Sequence, residues 1–300
     1  MSKPPADRTW QDAARSIESL GYSSLLLADH FGDQLAPVPA MAAAAEATTT
    51  LRVGALVLDN DYKHPVVLAK EMATVDVLSG GRVEFGIGAG WMRTDYEESG
   101  IAYDSPKVRV DRFEEALAIY RGLFGGEPVN HTGEHYTITN LSGRPLPISP
   151  GGPPLLIGAG GKRMLSIAAR WADIISVNPN MVAGVADADT AKDAMAASID
   201  EKIGWIRAAA GDRLDEIELS TTLFFVSVTN DGDSMAEGVG SMFGVSGADV
   251  REAPIIAIGT VAEIADALRA RRERWGFSYV LVNADSYEAF APVVAELAGT

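Results

Sequence analysis

The sequence predicts a (β/α)₈ barrel formed by a single domain, residues 1–300. Three observations point there. The chain has 300 residues, a normal length for such a barrel with insertions. Short apolar runs of β type alternate with longer helical patterns, the signature of βαβ units and a parallel sheet. No glycine-rich turn follows the first apolar run, where a doubly wound sheet usually places one.

The elements follow in order. Residues 9–20 read as a helix, with Trp10, Ala13, Ala14, Ile17 and Leu20 at three- and four-residue spacing, Thr9 as its cap and Gly21 as its end. Residues 24–28 form a short buried strand around Leu25, Leu26 and Leu27. An alanine-rich helix at 39–48 leads to a strand at 51–58 that is apolar except for Arg52 and Gly54. A helix at 65–78 closes on Ser79-Gly80-Gly81, a strand follows at 82–87, and 109–124 is an amphipathic helix. Residues 125–154 break the rhythm with a small hairpin at 133–139 and a Pro/Gly-rich stretch, read as an insertion over the barrel mouth. A strand at 155–157, a helix at 162–171, a strand at 174–177, a helix at 190–210 and a long strand at 217–228 come next. Residues 231–254 are glycine-rich and read as a second insertion, irregular and mobile. A helix at 261–275, a strand at 279–283 and a helix at 287–297 complete the pattern.

Seven strands are visible, whereas the barrel needs eight. The missing one would precede the first helix, and residues 1–8, with two prolines and no apolar run, make a poor central strand. The expectation is an incomplete barrel with unpartnered edges at 24–28 and 279–283, or a gene start upstream of Met1.

Apolar residues make up 47% and charged residues 22%, so a packed globular core is expected. The formal net charge of −16 argues against nucleic acid or anionic membrane as a partner. Arg269, Arg271, Arg272 and Arg274 beside Glu273 read as a solvated helix face near a C-terminus, where cations are favourable. With no cysteine there is no disulfide, thiolate metal site, iron–sulfur cluster or cysteine nucleophile. No signal-peptide core and no run of ~20 apolar residues occurs, so a cytoplasmic location is expected. The G-x-S-x-G elbow of one hydrolase class is absent.

In such a barrel the chemistry sits at the C-terminal ends of the strands. Those positions hold Asp29-His30-Phe31, Asp59-Asn60-Asp61, Gly88-Ala89-Gly90-Trp91, Gly158-Ala159-Gly160-Gly161, Asn178 and Asn283. His30 is the one strand-end histidine of four, placed to donate a hydrogen bond or carry a proton near neutral pH. Asp59, Asn60 and Asp61 are oxygen ligands for a metal or turn residues, and the turn reading is preferred. Gly88 and Gly90 miss the dinucleotide fingerprint, because Arg93 stands where the third glycine belongs; glycine here lets a flat ligand approach the backbone. Gly158 to Gly161 with Lys162 and Arg163 lie between a strand and a helix, an anion site or a tight turn. His131 and His135 flank Gly133 in a hairpin context and share no helix face, so no metal site is expected there.

The runs GYSSLLLADHF (21–31), LAKEMATVDVLSGGRVEFGIGAGW (68–91), 109–124, LLIGAGGKRMLSIAARWAD (155–173) and IGTVAEIADALRARRERWGFSYVLVN (258–283) resemble the bacterial luciferase-like flavin superfamily. Within it they are most similar to F420-dependent oxidoreductases of actinobacterial type, with LSGGR followed by GxGxGW as the specific part. The resemblance implies a cofactor ring across the strand ends, with Asp29 and His30 beside it as the catalytic residues. It implies a non-proline cis peptide around Leu56 and Val57, and a cofactor site running from there through Leu58, Asp59 and Asn60. Gly88, Gly90, Trp91 and Asn178 would complete that site, and Gly158, Ala159, Gly160, Gly161, Lys162 and Arg163 would hold the cofactor phosphate. The implied cofactor is coenzyme F420, with FMN as the alternative, and the implied partners are a small organic substrate and a second copy of the chain. The implied reaction is hydride transfer; an FMN-dependent monooxygenase and a non-catalytic flavin-binding protein are the rivals. The sequence departs from the sugar-phosphate dehydrogenases of this group: Asp33 and Gln34 stand where a Trp is found, and Trp91 replaces a Glu, which speaks against glucose 6-phosphate as substrate.

Overall fold

The computed structural model describes residues 1–185 and 188–299, in two compact units: Met1–Glu18 with Ser23–Gly158, and Ser19–Tyr22 with Ala159–Thr300.

The first unit begins with α1 (Trp10–Ser19), which Thr9 caps by accepting from the Asp12 amide. Its apolar stripe buries Trp10, Ala13, Ala14 and Ile17, and the Trp10 indole N–H donates to the Ala40 carbonyl. Then come β1 (Ser24–Leu27), α2 (Pro37–Ala47), β2 (Arg52–Ala55), β3 (Leu58–Asp59) and α3 (Pro65–Ser79). They are followed by β4 (Val83–Gly88), the short α4 (Arg93–Ser99) and α5 (Pro106–Phe124), capped by Ser105. A hairpin of β5 (Val129–Thr132) and β6 (Thr137–Leu141) leads to β7 (Leu155–Ala159). The ladder is parallel: β1 pairs with β2, β2 with β4 and β4 with β7, while β3 extends the pairing along the C-terminal end of β4. Strands buried on both faces read as largely apolar runs, as these do apart from Ser24, Arg52 and Glu84, the last two paired with each other. Where β2 and β4 approach, a Cβ on Gly86 would stand 1.6 Å from the Ala55 carbonyl oxygen. Beside β1, the Met1 ammonium donates to the Leu26 carbonyl, and the Ala28 amide to the Ser2 hydroxyl.

The second unit holds α6 (Lys162–Trp171), β8 (Ile174–Val177), α7 (Ala188–Asp193), α8 (Ala196–Ala210) and a 3₁₀ turn at Gly211–Glu216. These lead to β9 (Glu218–Leu223), β10 (Phe225–Val228), α9 (Gly232–Phe243), α10 (Gly247–Glu252) and β11 (Ile256–Gly259). The chain continues with α11 (Val261–Trp275), β12 (Phe277–Val282) and α12 (Tyr287–Leu297). Here β8 pairs with β9 and β9 with β12, all parallel, and β10 pairs with β11. Leu223, Ile264, Leu268, Phe290 and Val293 form the core between β9 and the two last helices.

With β1, β2, β4, β7, β8, β9 and β12 as its parallel strands, this is the (β/α)₈ fold with one strand missing among the described residues. No helix of the described residues is long and apolar enough to cross a membrane.

Several sequence expectations need correction. The strand expected at 217–228 breaks at Phe224, because the two halves serve different partners: β9 lies against β12, and β10 against β11. The Phe224 amide turns to the Ile255 carbonyl at this switch. The segment at 231–254 is not irregular. It folds as α9 and α10, the latter held by a capping box between Ser246 and Asp249. The helix expected at 190–210 is two helices, α7 and α8, and the hairpin arms lie outside 133–136, which form their turn. Arg271 is not on a solvated face. It is 6% exposed, donates to the carbonyls of Arg251 and Ile256, and burial pushes its pKa down to about 10.

Candidate functional site

The ends of β1, β3 and β4 meet in the first unit. The Asp59 amide donates to Asp29 Oδ2 at 3.1 Å, and the Asn60 amide to the Gly88 carbonyl at 3.0 Å. The peptide between Leu56 and Val57, linking β2 to β3, is cis, at the position the resemblance implies. Val57 Cγ2 lies 2.8 Å from where a Cβ on Gly88 would be, so only glycine leaves that side chain room. The Gly158 carbonyl, at the end of β7, borders the same point.

His30 leaves β1 half-buried and its Nδ1 sits 2.6 Å from Asp95 Oδ2. Asp95 is buried; it also accepts from the Tyr62 hydroxyl at 3.2 Å. A carboxylate facing Nδ1 assigns the proton of the neutral ring to that nitrogen and leaves a lone pair on Nε2. Trp91 packs edge-on to the imidazole, with centroids 5.7 Å apart.

Beside this pair lies a carboxyl cluster. The Tyr96 hydroxyl is 2.8 Å from Asp59 Oδ2 and 3.1 Å from Asp61 Oδ2. One phenol proton serves one carboxylate, so both contacts are satisfied only when the other carboxyl carries a proton of its own. Asp59 is that group: burial above all, then the charge of Asp61, pushes its pKa up to about 7. Asp61 pairs with Arg112, which also binds Asp104. Burial raises Asp29 as well. Gly90, at φ 73°, is required where it stands: a Cβ there would lie 1.8 Å from the Tyr96 hydroxyl oxygen and 2.5 Å from Asp59 Oδ2.

A pH prediction follows from Asp59. Its pKa rises from the ordinary 3.8 to about 7 on folding, so its contribution to stability is complete below the unfolded value and is lost as pH rises through the folded one. Between about pH 4 and pH 7 the unfolded chain gives up this proton and the native chain keeps it. Asp59→Asn is therefore expected to flatten the fall in stability across that window, and to exceed the wild type at about pH 8. Urea midpoints at the two ends check this; an unchanged slope would contradict it.

The hairpin docks on the same strand ends. Asn60 accepts from the Tyr120 hydroxyl and donates to that of Tyr136, while Glu115 on α5 holds His131 Nε2 and the amides of His135 and Tyr136. His131 thus meets a carboxylate from α5, and the Asp59-Asn60-Asp61 turn is committed to protein groups.

In the second unit, α6 starts at Gly161 with no side-chain cap, and Lys162 and Arg163 are exposed in its first turn. Gly160 packs so closely that a Cβ would be 2.3 Å from the Pro179 carbonyl. The Asn178 amide donates to the Ala159 carbonyl and its side chain to that of Ser176, while the Asn178 carbonyl accepts from the buried Lys202. Uncapped amides beside two cationic side chains are the groups a phosphate would require, and the Lys162 ammonium lies 5.8 Å from the Trp205 ring centroid.

The structure thus gathers Asp29, His30, Leu56, Val57, Leu58, Asp59, Asn60, Gly88, Gly90, Trp91 and Gly158 in the first unit. It gathers Ala159, Gly160, Gly161, Lys162, Arg163 and Asn178 in the second. Sequence reasoning missed Asp95, Tyr96, Tyr62 and Arg112. The signal for the first two was a helical turn directly after Trp91, ending at Gly100 with φ 76°.

The chain is 31% identical over 188 residues to a 5,10-methylenetetrahydromethanopterin reductase of Archaeoglobus fulgidus, covering 59% of this chain and 54% of that protein. It is 30% identical over 164 residues to an F420-dependent glucose-6-phosphate dehydrogenase of Amycolatopsis mediterranei, covering 52% and 49%. The chain therefore spans about half the length of these curated relatives. Its fold is similar to that of an F420-dependent secondary alcohol dehydrogenase solved with an F420-acetone adduct, with TM-score 0.73, 19% identity, and 96% and 94% of the two chains covered. The family model described as luciferase-like monooxygenase matches residues 3–243, and on that match the chain belongs to the luciferase-like monooxygenase family.

Proposed function

We propose that this protein is an F420-dependent oxidoreductase, of the type found in actinobacteria, that moves hydride between the deazaflavin and a small organic substrate. The observation that carries the reading is the His30–Asp95 pair, which leaves Nε2 free at the end of β1. The names of two relatives and of one solved structure support F420 as the cofactor or a reductase as the activity.

The donor set fits such a group. Burial pushes the pKa of Asp59 up to about 7, and Asp61 and Asp95 are bonded to Arg112 and His30, so the strand ends offer hydrogen bonds with reduced free charge to a neutral heterocycle. The uncapped start of α6 with Lys162 and Arg163 suits a phosphate.

When bound, F420 supplies the two-electron chemistry. The chain supplies position and the proton. A carbinol that gives up hydride must also release its hydroxyl proton, and His30 Nε2 takes it, with Asp95 stabilising the imidazolium. In the reverse direction the same nitrogen protonates the oxygen of a carbonyl as it receives hydride. Trp91 packs against the imidazole and helps keep it in line.

Lys162→Ala is expected to weaken F420 binding about tenfold, with a smaller loss at high salt, as a charge-assisted contact to phosphate would. Equal affinity at low salt would remove Lys162 from the phosphate site.

The second reading is an FMN-dependent monooxygenase, which the family's own description favours. Turnover of a broad panel of alcohols, ketones and imines, with and without oxygen, separates the readings. Anaerobic hydride transfer supports the proposal. Product formed only with oxygen uptake replaces it with the monooxygenase, and tight binding without any turnover replaces it with a non-catalytic flavin-binding protein.

A further inference from the structure

Arg109 on α5 is 4% exposed, and its Nε and Nη1 are buried without a hydrogen-bond partner. A guanidinium in that state is costly. Taking a charge out of water is repaid only by pairing and full hydrogen bonding. Among the described residues Arg109 makes no ion pair, and the neighbouring carboxylates are committed elsewhere. Asp95 binds His30 and Tyr62, Asp59 and Asp61 bind Tyr96, and Asp104 binds Arg112. What Arg109 does have is aromatic walls: its Cζ lies 4.1 Å from the Tyr103 ring centroid and 5.7 Å from that of Tyr96. Those contacts stabilise the cation through its faces and leave the N–H groups at its edges unused.

A second cation stands close by. Arg93 places a second guanidinium 5.5 Å from the same Tyr103 ring. Arg109 lies in the first turns of the 19-residue α5, whose start adds partial positive charge and would ordinarily repel a cation. Tyr103 in turn donates its hydroxyl to the Trp91 carbonyl, which ties Arg109 to the strand end next to His30.

We propose that Arg109, walled by Tyr96 and Tyr103, is the receptor for an oxyanion, a carboxylate or phosphate borne by the small molecule this protein handles. The unused donors match the acceptor-only chemistry of such a group, and Arg93 supplies a second charge at the rim of the site. The site narrows the substrate class to anionic molecules, or else assigns the cofactor's anionic tail here. The choice between those two rests on the functional reading above; the site itself does not.

The test uses the full-length protein and two probes, sodium phosphate and sodium acetate, at ionic strength held constant with chloride. Saturable binding by calorimetry, with a matching rise in Tm, is expected for the wild type. Arg109→Met, close in length but uncharged, is expected to bind at least about tenfold more weakly and to have an unchanged or higher Tm in chloride, since it removes an unpaired buried charge. Should that variant fail to fold, Arg109→Lys keeps the charge and loses the planar fork; it too is expected to lose affinity for both anions. No saturable anion effect in the wild type, or anion affinity unchanged in the variant, overturns the proposal. F420 titration then distinguishes the sources. Weaker F420 binding in the variant assigns the oxyanion to the cofactor. Unchanged F420 binding with a raised KM for carboxylate- or phosphate-bearing substrates assigns it to the substrate, and no change in either overturns the functional role. If the wild type fails to bind F420, the cofactor reading falls, while the phosphate titration still decides the fate of Arg109.

Discussion

His30→Ala is expected to lower kcat by about 10²–10⁴-fold while F420 affinity stays within a few-fold, because the side chain's part is proton transfer rather than cofactor binding. Asp95→Asn is expected to act in the same direction, by about 10²-fold. Asparagine keeps the shape, but its amide can present a donor to Nδ1 and so favour the ring tautomer that carries its proton on Nε2. That variant has a signature a purely structural role would lack. Its kcat should fall while KM and the melting temperature barely move. Single-turnover hydride transfer and thermal melting provide the two readouts. Retention of wild-type rates by His30→Ala within threefold would remove His30 from the chemistry, and a rate loss in Asp95→Asn that simply tracks unfolding would reduce Asp95 to a packing residue.

Gly86→Ala is expected to be the most damaging single methyl in the first unit. The added Cβ would sit 1.6 Å from the Ala55 carbonyl oxygen, a backbone atom that cannot rotate away. Gly54 faces the same difficulty from the other strand, with its Cβ 2.4 Å from the Glu84 carbonyl. Relief requires β2 and β4 to part where the sheet carries the cis peptide and Gly88 towards the site. A loss of about 3 kcal/mol or more, or failure to fold, is expected, at the upper end of what overpacking costs. Gly204→Ala in α8 is the control: nothing lies within 4 Å of that position, and the substitution should stabilise by about 0.5–1 kcal/mol. Urea midpoints decide it; an alanine at 86 tolerated as well as one at 204 would contradict the close approach of these strands.

The fold was legible because parallel strands covered on both faces leave short, mainly apolar runs, as at 25–27 and 155–157. What sequence reasoning misjudged was set by tertiary pairing or by glycine. Nothing local in 217–228 announces that Phe224 marks a change of partner. The glycines of 231–254 lower helix propensity enough to hide α9 and α10, although Ser246 and Asp249 were a readable capping signal. Arg271 looked solvated because its neighbours Arg269 and Arg274 are, whereas one helical step turns it onto the carbonyls of Arg251 and of Ile256 at the start of β11. At the site, strand-end position singled out Asp29, His30, Asp59 and Gly88. It gave no access to Asp95, 65 residues from His30 in sequence, since contacts between distant segments leave no periodic trace. Arg109 illustrates the same limit: a helical arginine reads as surface until its burial is seen.

The account stands on a deazaflavin held at these strand ends. The measurement that tests it most directly is equilibrium titration of the apoprotein with F420 and with FMN under identical conditions. Saturable binding of F420, tighter than that of FMN, is the predicted result. Tight FMN binding with no binding of F420 would contradict it.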